Sequence, residues 1–230
     1  TIRIGNSLVN LNLDIYQKHQ LIDMLLAASS LSIKCGDGIE WKRDIEKKLS
    51  GFASKVAEWD PKTSPKPLSM NISALFKTLS FIELKYGIKM VPGYFTSAQM
   101  EYFKEEWFKS IKRFRASKVE EQVMDIIKEY FKENDINKEI KSNVLADIYL
   151  IDIMIEPNII IEINGKFHFI QDSSLNIYKD SYSGNYLMKK EYLTLKGYKM
   201  VFLEYHEFED ILGNQQKFKE YVLNKIKPFL

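Results

Sequence analysis

The sequence predicts an α/β domain preceded by an all-helical half. Two observations carry this. Residues 1–115 place apolar side chains at helical spacing, whereas 144–205 are rich in Ile, Tyr, Phe and Val and alternate as strands do. The second half also orders its elements as helix, three strands, helix, strand, helix, the pattern of a sheet covered by helices. The predicted domains are 1–115, all-α, and 116–230, α/β. With 230 residues the chain is one large domain or two small ones, and either half is long enough to bury a core.

In the first half, Leu21, Leu25, Leu26 and Ser29 share one helix face, extended by Leu31 and Ile33, and Gly36-Asp37-Gly38 ends it. A second helix over 40–59 carries Ile45, Leu49, Phe52, Val56 and Trp59. Three prolines make Asp60–Pro67 a loop. A third helix, about 71–86, uses Ile72, Leu75, Phe76, Leu79 and Ile82 and stops at Gly87 and Pro92-Gly93. A fourth, about 97–114, uses Met100, Phe103, Trp107, Phe108 and Ile111. These read as two helical hairpins. Similar apolar spacing in the segments starting at Asp23 and Ala74, 51 residues apart, predicts a helical repeat or simple amphipathicity.

The second half opens with a capping box at Ser117-Lys118-Val119-Glu120. Val119, Val123, Ile126, Ile127, Tyr130 and Phe131 form the core face of the helix that follows. After Asn134-Asp135 come a short strand near 136–141, a long one near 144–155 and another at 159–163. A loop over 171–184 leads to a helix near 185–196, which stops at Gly197 before a strand at 198–204. The last helix, about 214–227, buries Phe218, Tyr221, Val222 and Ile226.

Composition excludes several classes. A net charge of +2 from 33 basic and 31 acidic residues does not announce a nucleic-acid binder, so any basic patch is local. One cysteine, Cys35, excludes an internal disulfide framework and a multi-cysteine zinc site. No apolar run approaches a membrane span; the most apolar region, 148–163, is broken by Asp152, Glu156 and Glu162. Walker, dinucleotide and Gly-x-Ser-x-Gly motifs are missing. The chain starts at Thr1 rather than Met, which predicts a fragment, a processed form or a trimmed one, so a targeting peptide is not excluded. The 29 Lys against 4 Arg, with 27 Ile, is the bias of an AT-rich genome.

The segment Asp152–Phe169 is the most informative. Pro157 and Asn158 predict a hairpin turn. If Glu156-Pro157-Asn158 is the loop, Ile155 pairs with Ile159 and Met154 with Ile160, and Asp152 falls opposite Glu162. Alternation then sets Asp152, Glu162 and Asn164 on one face, while a slip of one residue destroys the arrangement. Opposed carboxylates on an apolar sheet repel. A divalent cation, a lysine, a helix N-terminus or a shared proton would compensate them. Held by Asp152 and Glu162, Mg²⁺ would follow nuclease logic; alternatively both acids sit at strand ends, solvated or paired with lysine.

The stretch from Ser117 to Leu230 resembles the RAP domain, named for RNA binding and its abundance in apicomplexans. The residues that carry the resemblance are Ile151-Asp152-Ile153, Ile161–Phe169 (IEINGKFHF) and Lys189–Phe208 (KKEYLTLKGYKMVFLEYHEF), in the family's order and with plausible spacing over about half the chain. The resemblance implies a mixed sheet flanked by helices, similar to PD-(D/E)XK nucleases of the very-short-patch-repair-like group. Asp152 and Glu162 would hold the acidic positions. Asn164 departs from both patterns, since RAP domains often have Asp there and many nucleases Lys. An amide supplies neither charge, which argues for binding without cleavage. Lys166 or His168 would assist if the site cuts; His168 is equally a general base or a packed strand residue. Phe208 stands where the family often has Trp. RAP domains commonly end helical-repeat proteins of mitochondria or chloroplasts that act in organellar RNA processing, stability and translation, some within mitochondrial ribosomes. The resemblance thus implies a mitochondrial location, RNA (including rRNA) as ligand and ribosomal or other organellar proteins as partners.

The residue signal for RNA is local. Lys109–Lys118 (KSIKRFRASK) holds five basic residues, Lys109, Lys112, Arg113, Arg115 and Lys118, with no acid and Phe114 among them. Such side chains either contact phosphates or form a solvated helix face; Phe114 or Tyr102 could stack a base. Lys179, Lys189, Lys190 and Lys196 form a second candidate, and Asn164, Lys166 and His168 a third. The leading expectation is an organellar RNA-binding protein that needs no cofactor and does not cleave. The alternatives are a Mg²⁺-dependent endoribonuclease using Asp152 and Glu162, and a protein–protein scaffold.

Overall fold

A computed structural model of the chain describes residues 24–29, 51, 57, 69–91, 93–111, 116–171 and 177–230. Apart from helical residues at 24–29, 51 and 57, the first two expected helices lie outside the described residues, as do the proline-rich segment 60–67 and residues 112–115. The described chain forms two compact units. One takes the residues up to 111 with Leu187–Tyr192; the other takes 116–186 and 193–230.

In the first unit, α1 spans Ser69–Tyr86 and α2 spans Ser97–Ile111. All five apolar positions expected of α1 are buried, and Phe81 is buried with them. Gly87 ends α1 at φ +68°, a conformation that costs glycine little, and its N–H reaches the Glu83 carbonyl at 3.0 Å. The start of α2 carries a reciprocal cap: Gln99 N–H donates to Thr96 Oγ1 at 3.2 Å, and Thr96 N–H to Gln99 Oε1 at 2.9 Å. Phe103 and Trp107 are the buried residues of α2, and Phe95 meets Phe103 edge-on at 5.8 Å.

In the second unit, α3 spans Lys118–Glu133. Ser117 caps it, accepting from Glu120 N–H at 3.2 Å, while the Glu120 carboxylate accepts from the Asn143 amide. Asp135, at φ +51°, ends the helix and lets Ile136 N–H reach the Phe131 carbonyl at 2.9 Å. Strands β1 (Ile140–Ala146), β2 (Tyr149–Ile155) and β3 (Ile159–Asn164) follow. The single strand expected over 144–155 is therefore a hairpin. It turns at Asp147-Ile148, where Asp147 adopts φ +55°. No Gly or Pro marks this turn; Asp tolerates the left-handed region because its short side chain bonds locally.

The expected loop over 171–184 contains a strand. It pairs β4 (Phe169–Gln171) with β5 (Ile177–Tyr182), separate from the main sheet. Helix α4 (Gly184–Leu195), whose middle turns fall in the first unit, strand β6 (Lys199–Glu204), a short helical turn at Tyr205–Phe208 and helix α5 (Gln215–Ile226) follow. The main sheet runs β1-β2-β3-β6, antiparallel except for the parallel β3–β6 pair.

The two sheet faces differ in chemistry. Odd-numbered Ile153, Ile155, Ile159, Ile161, Val201 and Leu203 join Val123, Ile127 and Phe131 of α3 and Phe218, Val222 and Ile226 of α5 in one core. Each such burial contributes about 1.5–3 kcal/mol, so this face anchors the sheet. Alternation leaves Asp152, Met154, Ile160, Glu162, Asn164, Phe202 and Glu204 for the other face. Strand β3 is buried on both, which explains its nearly unbroken apolar run.

Candidate functional site

The hairpin register is the one the turn residues imply: Ile155 pairs with Ile159, Met154 with Ile160 and Ile153 with Ile161. Beyond that pair the β2–β3 ladder stops. Asp152 lies where the sheet is irregular on both sides. On the β1 side, the register sets Asn143, at φ +49°, opposite it. On the β3 side, the carboxylate takes the backbone, Oδ2 accepting from Ile163 N–H at 2.7 Å. A charge-assisted bond of this kind holds the acid in place of a strand–strand bond.

The polar groups of this face form a buried network. Glu162 and Asn164 are 1% and 0% exposed. The parallel register brings Glu204, itself buried, beside Asn164. The Asn164 amide donates to Glu204 Oε2 at 3.1 Å and to the Tyr186 hydroxyl at 2.7 Å. Tyr182 OH donates to the other oxygen, Glu204 Oε1, at 2.9 Å. Tyr182 and Tyr186 stack with centroids 4.7 Å apart, and the edges of His168 and Phe202 close on Tyr186 at 5.7 Å each. Burial, and then the Glu204 carboxylate, push the Tyr186 hydroxyl far above its usual pKa, so it remains a neutral phenol at any physiological pH. Among the described residues, no three or more His, Cys, Asp or Glu side chains gather so as to hold a metal ion.

Glu204, Tyr182 and Tyr186 were not legible as site residues. The sequence signal existed: an acid closing an apolar strand, and two tyrosines at i,i+4. Only the β3–β6 register turns these into partners of Asn164.

The remaining candidates separate. Gly165 opens a single 3₁₀ turn, Lys166–His168, so the chain leaves the strand before Lys166. Lys166 is exposed and lies over its neighbour Phe167, 5.3 Å from the ring centroid, rather than on the strand face that bears Glu162 and Asn164. His168 is half-buried against Tyr186. Lys118 is exposed in the first turn of α3. Lys109 is exposed and ion-paired with Glu106 at 2.8 Å; that hydrogen bond raises its pKa. Lys112, Arg113 and Arg115 lie outside the described residues. Lys189, half-buried, and Lys190, exposed, belong to the turns of α4 that fall in the first unit. Lys196 pairs with Asp147 at 2.7 Å. Of the aromatic candidates, Phe114 is outside the described residues and Tyr102 is half-buried beside Phe103.

On the α3/α5 side, a groove of about 220 Å³ is lined by Asp125 and Glu129 among others, with Lys219 paired to Glu129 at 2.8 Å. With two carboxylates and one lysine already paired to one of them, it offers no excess positive charge to a polyanion. No described helix is long and apolar enough to cross a membrane.

The family model for the RAP domain matches residues 161–225, from within β3 to the end region of α5. The RAP domain is a family associated with RNA binding. The matched stretch includes Glu162, Asn164, Lys166, His168, Tyr186 and Glu204 and leaves out Asp152 and the basic run at 109–118. No curated protein and no solved structure matches the chain.

Proposed function

We propose that this chain is an organellar RNA-binding protein whose α/β half is a nuclease-like fold that holds RNA without cutting it. The observation that carries the reading is the RAP match over residues 161–225. A sheet in which two antiparallel pairings precede one parallel pairing, with helices packed on it, is compatible with a PD-(D/E)XK-like core. Three features favour binding over cleavage. Asn164 spends its amide hydrogens on Glu204 and Tyr186, Asp152 Oδ2 is engaged by the Ile163 amide, and Lys166 stands outside the face that bears the acids. A cleaving site of this type needs carboxylates free to hold Mg²⁺ and a cation aimed at the reacting phosphate. The mitochondrial setting, and a role in RNA processing or stability or as an rRNA-binding ribosome component, rest on the resemblance of Ile151–Ile153, Ile161–Phe169 and Lys189–Phe208 to RAP domains.

The test is binding and cleavage of labelled organellar RNA, with Mg²⁺ and with EDTA. The expected result is intact RNA bound in both. Reversing charge at Lys112, Arg113 and Arg115 should weaken affinity and flatten its salt slope, by ~0.7 per lost phosphate contact on a single strand. Mg²⁺-dependent products that vanish in Glu162→Gln would establish the endoribonuclease instead. Absence of any salt-sensitive affinity would leave the scaffold reading.

A further inference from the structure

The turn that carries Lys166 out of the sheet also displays an aromatic ring. Phe167 is 77% exposed, the most exposed large apolar side chain among the described residues. Leaving a phenylalanine in water forgoes most of the free energy that its burial would contribute. The turn beneath it is fixed rather than loose. His168 N–H donates to the Gly165 carbonyl at 3.0 Å, and the Gln171 amide to the Lys166 carbonyl at 2.9 Å. On the far side Phe169 is buried, packed on Tyr182 at 5.2 Å and His206 at 5.4 Å, while Ser183 N–H holds the His168 carbonyl at 2.9 Å. Phe167 is thus held out on a platform anchored from both ends.

Its surroundings suit a nucleobase. The Lys166 ammonium lies 5.3 Å from the ring centroid, so an apolar ring and a cation are adjacent, the pairing that single-stranded nucleic acid offers in reverse as base and phosphate. The turn follows the carboxyl end of β3, which runs parallel to β6, and ligands of open α/β sheets collect outside the carboxyl ends of parallel strands. An aromatic with two side-chain torsions on a rigid turn loses little entropy when a base stacks on it. The groove beside α3 presents no exposed aromatic ring: Phe218 in its lining is buried, and Lys219 is paired with Glu129.

We infer that Phe167 is a stacking platform for a base of single-stranded RNA, with Lys166 holding the adjoining phosphate. The inference rests on the RNA-binding reading above and names the surface that does the binding.

The experiment measures equilibrium binding of the whole chain to fluorescein-labelled oligouridylate and oligoadenylate at several salt concentrations. The variants are Phe167→Ala, Phe167→Leu, Phe167→Tyr and Lys166→Gln. At 77% exposure, none of the Phe167 changes removes a packed side chain. Phe167→Ala should weaken binding about tenfold, equivalent to ~1.4 kcal/mol, with an unchanged salt slope. Phe167→Leu should behave like alanine, and Phe167→Tyr like wild type. Lys166→Gln should lower the salt slope by ~0.7. Wild-type protein without salt-sensitive RNA affinity overturns the RNA reading itself. Wild-type binding that Phe167→Ala leaves intact overturns only this inference, as does full affinity in Phe167→Leu, which would mean contact without stacking. Self-association lost in Phe167→Ala, with RNA affinity unchanged, would assign the ring to a contact between copies and overturn it too.

Discussion

Replacing Asn164 by Asp changes one group, –NH₂ to an oxygen, at a fully buried position. The wild-type amide donates at 2.7 Å to Tyr186 and at 3.1 Å to Glu204. The Asp carboxyl can still accept from the Tyr186 hydroxyl, so the bond lost is the one to Glu204; a hydrogen bond to a carboxylate contributes about 1.5–3 kcal/mol. The new carboxyl also faces Glu204. Two unit charges ~4 Å apart at an effective dielectric of ~20 repel by ~4 kcal/mol, so the pair would rather share a proton than both ionise. That raises a folded-state pKa above its unfolded value. The charge penalty is absent where both carboxyls are protonated and grows as pH rises through the carboxyl range to the raised value. Asn164→Ala adds no charge, so its deficit should change less with pH than that of Asn164→Asp. Urea denaturation in EDTA at pH 5 and pH 8 measures both. Asn164→Asp should lose more stability at pH 8 than at pH 5, and the difference between the two pH values should be larger than for Asn164→Ala. At 4–8 °C per kcal/mol for a domain of ~100 residues, the loss at pH 8 exceeds 10 °C in Tm. An Asn164→Asp chain as stable as wild type at pH 8 would mean that position 164 does not face Glu204, and the network would have to be redrawn.

Two further outcomes follow from the charges. Lys77, whose ammonium lies 4.6 Å from the Trp107 ring centroid, has its pKa lowered from 10.5 to about 8 by burial and then by Lys189. A depressed lysine penalises folding below pH 8 and stops doing so by pH 10.5, so Lys77→Met should stabilise the chain by ~1–3 kcal/mol at pH 7. Denaturation at pH 7 and pH 10 should show that gain shrinking at the higher pH; a gain equal at both would refute the burial argument. Burial alone would raise Glu207, but hydrogen bonds from Lys225 and Tyr221 outweigh it and hold the carboxyl below its ordinary 4.5. The stability it contributes is present above pH 4.5 and lost as pH falls through the lowered value. Glu207→Gln should therefore be less stable than wild type at pH 7 by a gap that closes in acid; thermal melts across pH 2–7 would reveal a gap that persists, if the reasoning fails.

The described helices were legible because their boundaries carry local chemistry. Ser117 announces α3, Gly87 ends α1 and Gly197 follows α4, each at or within two residues of the expected place. The β2–β3 register was legible for a similar reason: Pro157 and Asn158 mark the turn, and turn length sets register. The hairpin turn at Asp147-Ile148 was not, because an apolar run on both sides hides a lone Asp. Strands β4 and β5 were hidden for another reason. Polar hairpin strands beside a buried Phe169 have the composition of a loop, and only pairing makes them strands.

By itself the sequence determined where the described helices start and stop and, once Glu156-Pro157-Asn158 is taken as the turn, that Asp152, Glu162 and Asn164 alternate onto one side. These depend on neighbours in the chain or on alternation, both of which a sequence states directly. Tertiary structure alone decided that Glu204 meets Asn164, that two tyrosines 4 residues apart close over them, and that Gly165 turns Lys166 outward while presenting Phe167 to solvent. Asn164 and Glu204 stand 40 residues apart and meet only through the parallel β3–β6 pairing. Parallel pairing is set by the packing of whole elements, not by any local signal.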